Sequence, residues 1–238
     1  TLVLSSQGCT TTSTLNLTVY PTPSLNSNLF FPDVCNGEVF NYIPTSATEN
    51  TAFNWVLGNL PVGVTHTGAS TGTGQIQGTF EHDYANFVEV SYSVISTSNG
   101  CQGSSDDLNL RILPKLYLTN SATQTICSGE NINFTPEVNP YYTDAIFSWS
   151  RQAVNGISNI ANAGIGPINE ILENTTLVSQ TVEYNYSISS DANDTCVVQG
   201  SFLVIVSPRP VLTPGAENPS AICSGEDVNH TLESNIPG

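Results

Sequence analysis

One five-residue phrase constrains this chain more than any other feature. It reads Ile126-Cys127-Ser128-Gly129-Glu130 and returns as Ile222-Cys223-Ser224-Gly225-Glu226. A degraded copy stands at Val34-Cys35-Asn36-Gly37-Glu38. The cysteines step by 92 residues (35 to 127) and then by 96 (127 to 223). A motif at that pitch marks a tandem array. Modules of about 94 residues are each large enough to hold a core, unlike the units of a solenoid.

The text between the copies repeats in order. After the first copy come Phe40 and Tyr42, closed by Pro44; after the second come Ile132 and Phe134, closed by Pro136. Phe53 and Trp55 share one face of a predicted strand, and Phe147 and Trp149 follow suit. Gly72-Thr73-Gly74-Gln75-Ile76 matches Gly164-Ile165-Gly166-Pro167-Ile168. Val88, Val90, Tyr92 and Val94 alternate with polar residues, and Val182, Tyr184, Tyr186 and Ile188 take the place of that run. Such alternation is the period of a strand with one buried face. Asn99-Gly100-Cys101 reads as a turn, with Cys196 in the corresponding place. Leu108, Leu110 and Ile112, and then Phe202, Val204 and Val206, form closing strands ended by prolines.

These divisions give residues 1–20 as the last strands of a preceding module, with Leu15, Leu17 and Val19 in a half-buried strand. Residues 21–114 and 115–208 are two complete modules, and 209–238 begin a following one. Short strands, frequent turn signals and no 3.6-residue apolar period predict an all-β fold. The expected architecture is a row of tandem immunoglobulin-like β-sandwich modules. Short proline-bearing linkers predict a rod rather than flexible beads. The paired aromatic residues Trp55, Trp149, Phe53, Phe147, Tyr92 and Tyr186 are assigned to the cores.

The second module resembles the PKD-like, immunoglobulin-like repeats of giant surface proteins of Bacteroidota. The residues that carry this are Ile126-Cys127-Ser128-Gly129, Phe134-Thr135-Pro136, Phe147-Ser148-Trp149-Ser150-Arg151, Gly156-Ile157-Ser158, Gly164 to Ile168, Glu170 to Thr176, and Cys196. The first module departs from the pattern, with Leu57 where Arg151 stands and no counterpart of Asn174-Thr175-Thr176. The resemblance implies large secreted or cell-surface adhesins, gliding-motility types among them, often exported by the type IX system. In such proteins the repeats generally form the stalk, so a structural role is implied rather than an activity.

Composition narrows the partners. Lys plus Arg number 4 against 20 Asp plus Glu, a net charge of −16. So few cations argue against nucleic acid and against anionic membrane surfaces. No apolar run reaches the roughly 18 residues of a membrane-spanning helix. Only 10% of residues are charged, and the abundance of Thr, Ser and Asn suits an extracellular β-protein. Expected partners are neighbouring modules of the same chain, with lateral or end-to-end self-association.

Little in the sequence points to catalysis or a cofactor. His66, His82 and His230 stand apart from cysteine or acidic clusters, and His230 falls where the modules carry Tyr42 and Phe134. Gly72-Thr73-Gly74 lacks the lysine and helix of a phosphate loop, and it suits a turn or bulge. Asp83, Asp106-Asp107, Asp191 and Asp194 are candidate calcium oxygens, but no loop has an EF-hand or nonapeptide pattern. Sequons at Asn174 and Asn185 are expected by chance in so Asn- and Thr-rich a chain. Trp55 and Trp149 suit core packing better than sugar stacking. The sequence predicts no enzyme. The alternative to the stalk is a set of adhesive modules that bind carbohydrate or protein.

Six cysteines with no CxxC pair predict disulfides and an oxidising compartment. Two schemes fit the repeat. Each module closes on itself, as Cys35–Cys101 and Cys127–Cys196, or modules are stapled together, as Cys35–Cys196. Both leave Cys9 and Cys223 to pair outside this window. If the module has immunoglobulin strand order, the motif cysteine and the turn cysteine lie at opposite poles, which makes the staple feasible.

Overall fold

The computed structural model describes residues 1–193, 195–213, 220–228 and 230–236. It is all-β and divides into two compact units, Thr1–Leu113 and Pro114–Gly238.

In the first unit, β1 (Leu2–Ser6) and β2 (Cys9–Ser13) form a hairpin of their own. The sandwich follows. One sheet holds β3 (Val39–Tyr42), β5 (Thr65–Gly68) and β7 (Ile76–Glu81) in the order β3-β7-β5. The other holds β4 (Ala52–Leu57), β6 (Thr71–Thr73), β8 (Val88–Ser98) and β9 (Cys101–Ile112) in the order β6-β4-β8-β9. Alternation places side chains as the period of 2 requires. Along β8, Val90, Tyr92 and Val94 are buried, and so are Ser96 and Ser98. Those two serines donate to the carbonyls of Pro23 and Glu49, which offsets the loss of water. Phe40, Trp55, Ile76, Phe80, Tyr92 and Leu108 meet in the core between the sheets.

In the second unit, one sheet has β10 (Thr123–Cys127), β12 (Ile146–Arg151), β13 (Asn162–Ile165), β15 (Gln180–Ser189) and β16 (Val197–Ser207). Their order is β10-β16-β15-β12-β13. Facing it are β11 (Asn131–Phe134) and β14 (Ile168–Ile171), paired antiparallel. β10 lies parallel to β16, from Thr123↔Leu203 to Cys127↔Ser207. The first unit has the same feature in reduced form, as parallel bridges Phe30↔Asn109 and Val34↔Ile112.

Four sequence expectations need correction. Tyr186 is half-buried, and Tyr184 is the fully buried tyrosine. Trp55 pairs with Val94 and Trp149 with Tyr186, so Tyr184 is the counterpart of Tyr92. A period of 2 cannot reveal a slip of two residues. Leu15, Leu17 and Val19 lie outside any strand and are exposed, because the β1–β2 hairpin pairs with no other strand among the described residues. His230, expected at a core or boundary position from its match to Tyr42 and Phe134, is exposed. The Gly-rich stretches expected as turns or bulges hold strands instead: Gly72 and Thr73 lie in β6, Gly164 and Ile165 in β13, and β5, β7, β10 and β14 also lack an expected counterpart, because Gly and Thr dilute the apolar signal there and β10 directly abuts the motif.

Candidate functional site

The repeated motif is a tight turn. The amide of Glu38, Glu130 and Glu226 each donates to the carbonyl of the cysteine three residues earlier, at 3.1, 3.0 and 3.2 Å. The glycine between them has φ +81, +81 and +93°. A positive φ at the third position defines a type II turn and explains the glycine. Glu130 and Glu226 add a second tie, their Oε2 accepting from the amides of Cys127 and Cys223 at 2.8 and 2.9 Å. In the second unit the turn is knitted to its neighbours. The Ser128 hydroxyl bonds Glu173 Oε2 and accepts from the Asn174 amide, and Asn174 Nδ2 donates to the carbonyls of Val178 and Val206. That is the role of the Asn174-Thr175-Thr176 stretch, and it commits the Asn174 amide nitrogen.

The other cysteines follow hairpin turns. Asn99-Gly100 has φ of +49 and +78°, and Gln7-Gly8 +51 and +81°. Two consecutive positive φ values are the signature of a type I′ turn, which suits the strand twist. Cys101 and Cys9 come next in each case. In the second unit the turn is longer, and Cys196 is 4% exposed just before β16.

Strand direction then separates the two cysteines of each module. Cys127 stands beside Ser207 at the end of β16, and Cys196 precedes its start. An 11-residue strand spans roughly 33 Å, and a disulfide needs Cα atoms within about 7 Å. Likewise Val34, next to Cys35, pairs with Ile112 at the end of the 12-residue β9, which Cys101 begins. The self-closed pairings Cys35–Cys101 and Cys127–Cys196 are therefore sterically out of reach. Cys9, Cys101, Cys127 and Cys223 are free thiols, and Cys35 and Cys196 are disulfide-bonded.

A polar network lies at the core edge of the second unit. Phe147, Trp149 and Arg151 take the inward positions of β12, and Arg151 is 2% exposed. Its Nε and Nη2 both donate to Glu170 at 2.9 Å, a bidentate pair. Glu170 also accepts from the Tyr184 hydroxyl at 2.6 Å and from Asn162 Nδ2 at 2.7 Å. Burial works against ionising Glu170, but the bonds from Arg151, Tyr184 and Asn162 outweigh it and hold the carboxyl below its ordinary range. The hydrogen bond to Glu170 raises Arg151 further. Burial, then the bond to Glu170, pushes the Tyr184 phenol up. Arg151 Nη1 is buried without a partner. Arg151 and Glu170 line an open recess together with residues 158–162.

The first unit fills the same position differently. Leu57 replaces Arg151, and Gly78 stands where Glu170 does, two residues after the matching isoleucine. The space above Gly78 holds the His66 ring, whose Nε2 would lie 2.6 Å from a β-carbon there. That ring is 4.7 Å from Phe80, and its Nε2 is 3.3 Å from the Tyr92 hydroxyl. Burial lowers His66 from its usual 6.5 and pushes Tyr92 up to about 12. The pairing of Arg151 with Glu170 escaped sequence reasoning. The available signal was that both residues occupy inward positions of alternating strands.

The remaining candidates scatter. His82 is 4% exposed and bonded to the Ile112 carbonyl and Tyr84 amide. Asp106 and Asp107 lie within β9, and Asp83 is exposed. Asp191 accepts from Asn193 and from Thr195, whose side chain foremost lowers its pKa. Asp194 lies outside the described residues. No group of three or more His, Cys, Asp or Glu poised for a metal occurs among the described residues. Trp55 and Trp149 are both core residues, 5% and 8% exposed.

Residues 124–210, within the second unit, match the PKD-like domain family. No curated protein matches the chain. Similar solved structures include DIP-gamma IG1+IG2, at 11% identity and TM-score 0.32, covering 79% of this chain and 98% of that one. The insect immune protein hemolin is 13% identical with TM-score 0.35, covering 79% and 47%. An endo-fucoidan hydrolase of glycoside hydrolase family 107 is 12% identical with TM-score 0.29, covering 79% and 29%. At such scores these likenesses carry no argument about activity. The all-β, immunoglobulin-like sandwich stands on the sheets and on the PKD-like match.

Proposed function

We propose that this chain is a stretch of the stalk of a secreted or cell-surface filament or adhesin, with a mechanical role and with modules joined covalently. The observation that carries this reading is the state of the cysteines. Cys35 and Cys196 are bonded, Cys101 and Cys127 are free, and self-closure is out of reach. In this reading Cys35 and Cys196 are each other's partners, a staple from the motif turn of one module to the hairpin-end cysteine of the next. The acidic, Thr- and Asn-rich composition supports an extracellular setting, and no helix among the described residues is long and apolar enough to cross a membrane.

Peptide mapping without reduction tests the staple. A Cys35–Cys196 cross-linked peptide is expected, and a Cys35–Cys101 or Cys127–Cys196 peptide would overturn it. Pulling single molecules tests the load-bearing role. Oxidised chains should extend less than reduced ones before both units have unfolded, and equal extension would count against the stalk.

A second reading, adhesive modules that bind carbohydrate or protein, is favoured by one observation, the polar recess beside Arg151. A glycan array probed with the whole chain tests it.

A further inference from the structure

We propose that residues 114–120, which join the two sandwiches in sequence, are not a tether but a clip locked onto the second unit by Asn139. The clip, rather than the prolines, then removes slack from the linker. The inference deepens the stalk reading and rests on it only for its mechanical meaning.

Asn139 stands in the loop that follows β11, with Pro140 next to it. It opens a turn in which the Tyr142 amide donates to the Asn139 carbonyl at 3.0 Å. Asn followed by Pro suits the first two positions of such a turn. Asn139 Oδ1 accepts from the Tyr141 amide at 3.0 Å, and Nδ2 donates to the Lys115 carbonyl at 3.1 Å. The Asn139 amide donates to the Tyr117 carbonyl. The residue is 5% exposed, and its backbone and side-chain polar groups are all paired within the protein. The neighbours extend the clip. The Thr119 amide and hydroxyl both donate to the Glu137 carbonyl, at 2.7 and 3.1 Å. Asn120 donates to the Thr135 carbonyl and accepts from the Glu137 amide. The hydroxyl of the buried Tyr142 donates to the Pro114 carbonyl.

These ties leave no length for a tether. Leu113 is held in the first unit, its amide donating to the Val34 carbonyl at 2.8 Å, and Pro114 is already held by Tyr142. The last tie of one unit and the first tie of the next thus fall on consecutive residues. Opening the clip would free a segment with a contour of roughly 25 Å. The clip also recurs. The Thr213 amide and hydroxyl repeat both bonds of Thr119, donating to the Glu233 carbonyl at 3.0 and 3.2 Å. The Asn235 amide donates to the Val211 carbonyl, and Asn235 Oδ1 accepts from the Val211 amide. In the first unit the Asn26 amide donates to the Thr45 carbonyl at 2.9 Å, but Ala47 stands where Asn139 does. Recurrence at the module pitch marks the clip as a working part of the repeat, since a chance contact would not follow the array.

The test is NMR on the whole chain, reading amide hydrogen exchange at Thr119 and backbone order at Tyr117. Tyr117 should be as rigid on the ps–ns timescale as β16, and the Thr119 amide should be protected. Asn139→Ala should speed exchange at Thr119 about tenfold or more, the worth of at least one hydrogen bond. Val204, in the core strand β16, serves as the reference, because a general loss of stability would speed both amides alike. Tyr142→Phe removes only the hydroxyl that holds Pro114 and should act in the same direction; if Asn139→Ala does not fold, this variant decides. Pro114→Ala should leave Thr119 unchanged. The proposal is overturned by a mobile Tyr117 or an unprotected Thr119 in the unaltered chain. It is equally overturned if neither variant speeds Thr119 relative to Val204, or if Pro114→Ala loosens it as much as they do. A protected clip in a chain whose oxidised and reduced forms extend equally would support the clip and remove the stalk reading.

Discussion

Gly72 and Gly164 carry no side chain because indoles occupy the room. A β-carbon at Gly72 would lie 2.5 Å from Trp55 Cζ2, and one at Gly164 2.7 Å from Trp149 Cζ2. The first glycine of each Gly-x-Gly is therefore a packing requirement, whereas the second, Gly74 or Gly166, has open space and a φ of +74 or +78°. Gly164→Ala is expected to destabilise the second unit by about 1–3 kcal/mol through overpacking. Gly166→Ala is expected to cost about 1–2 kcal/mol through backbone strain. Urea unfolding of each variant measures both, and a harmless Gly164→Ala would refute the close packing. The titrating side chains give a further outcome at this scale. The folded pKa of His66 lies below its unfolded 6.5, so the unfolded chain takes up the proton first. Stability of the first unit should fall as pH drops below about 6.5. Glu170 is also lowered from 4.5, so its contribution is complete above that value and lost as pH falls below it. Calorimetry between pH 7 and 5 should thus move the melting of the first unit, and His66→Leu should remove that component.

At the scale of the element, two turns and one ion pair set the design. The motif turn closes at Cys223 through Glu226, where all the surrounding residues from 220 to 228 are exposed. It therefore depends on its own four residues, not on packing. The Arg151–Glu170 pair is the opposite case, because it depends on β12, β14 and β15 being in place. Arg151→Ala should cost the second unit about 3–5 kcal/mol, since it leaves a buried carboxylate unpaired. Replacing both residues by leucine should recover most of that, because removing both charges also removes their desolvation cost. Thermal melts of the single and double variants check this, and equal losses would show that charge is not what matters there.

At the scale of the whole chain, the repeat distributes one architecture over two units with different solutions inside. A neutral His66 beside a glycine and a charge-matched Arg151–Glu170 pair are two ways to fill one core edge. The proposed Cys35–Cys196 staple belongs to this scale. Reducing agent should leave the melting of separately expressed residues 21–114 unchanged while altering that of the whole chain. A matching effect on both would contradict a bond between modules.

The array, the turn chemistry and the all-β class were legible because they rest on local rules. Repetition needs no partner, a positive φ selects glycine, and alternation of period 2 reports a buried face. Other features depended on tertiary structure. A two-residue slip keeps every side chain on its face, so only cross-strand pairing could choose Tyr184 over Tyr186. Arg151 and Glu170 are 19 residues apart, and no local rule ties them. The repeated Ile-Cys-Ser-Gly-Glu phrase fixed its own turn; where its cysteine stands was decided by a strand about eighty residues away, from Cys127 to Ser207, because sheet pairing is set by burial and register, not by proximity in sequence.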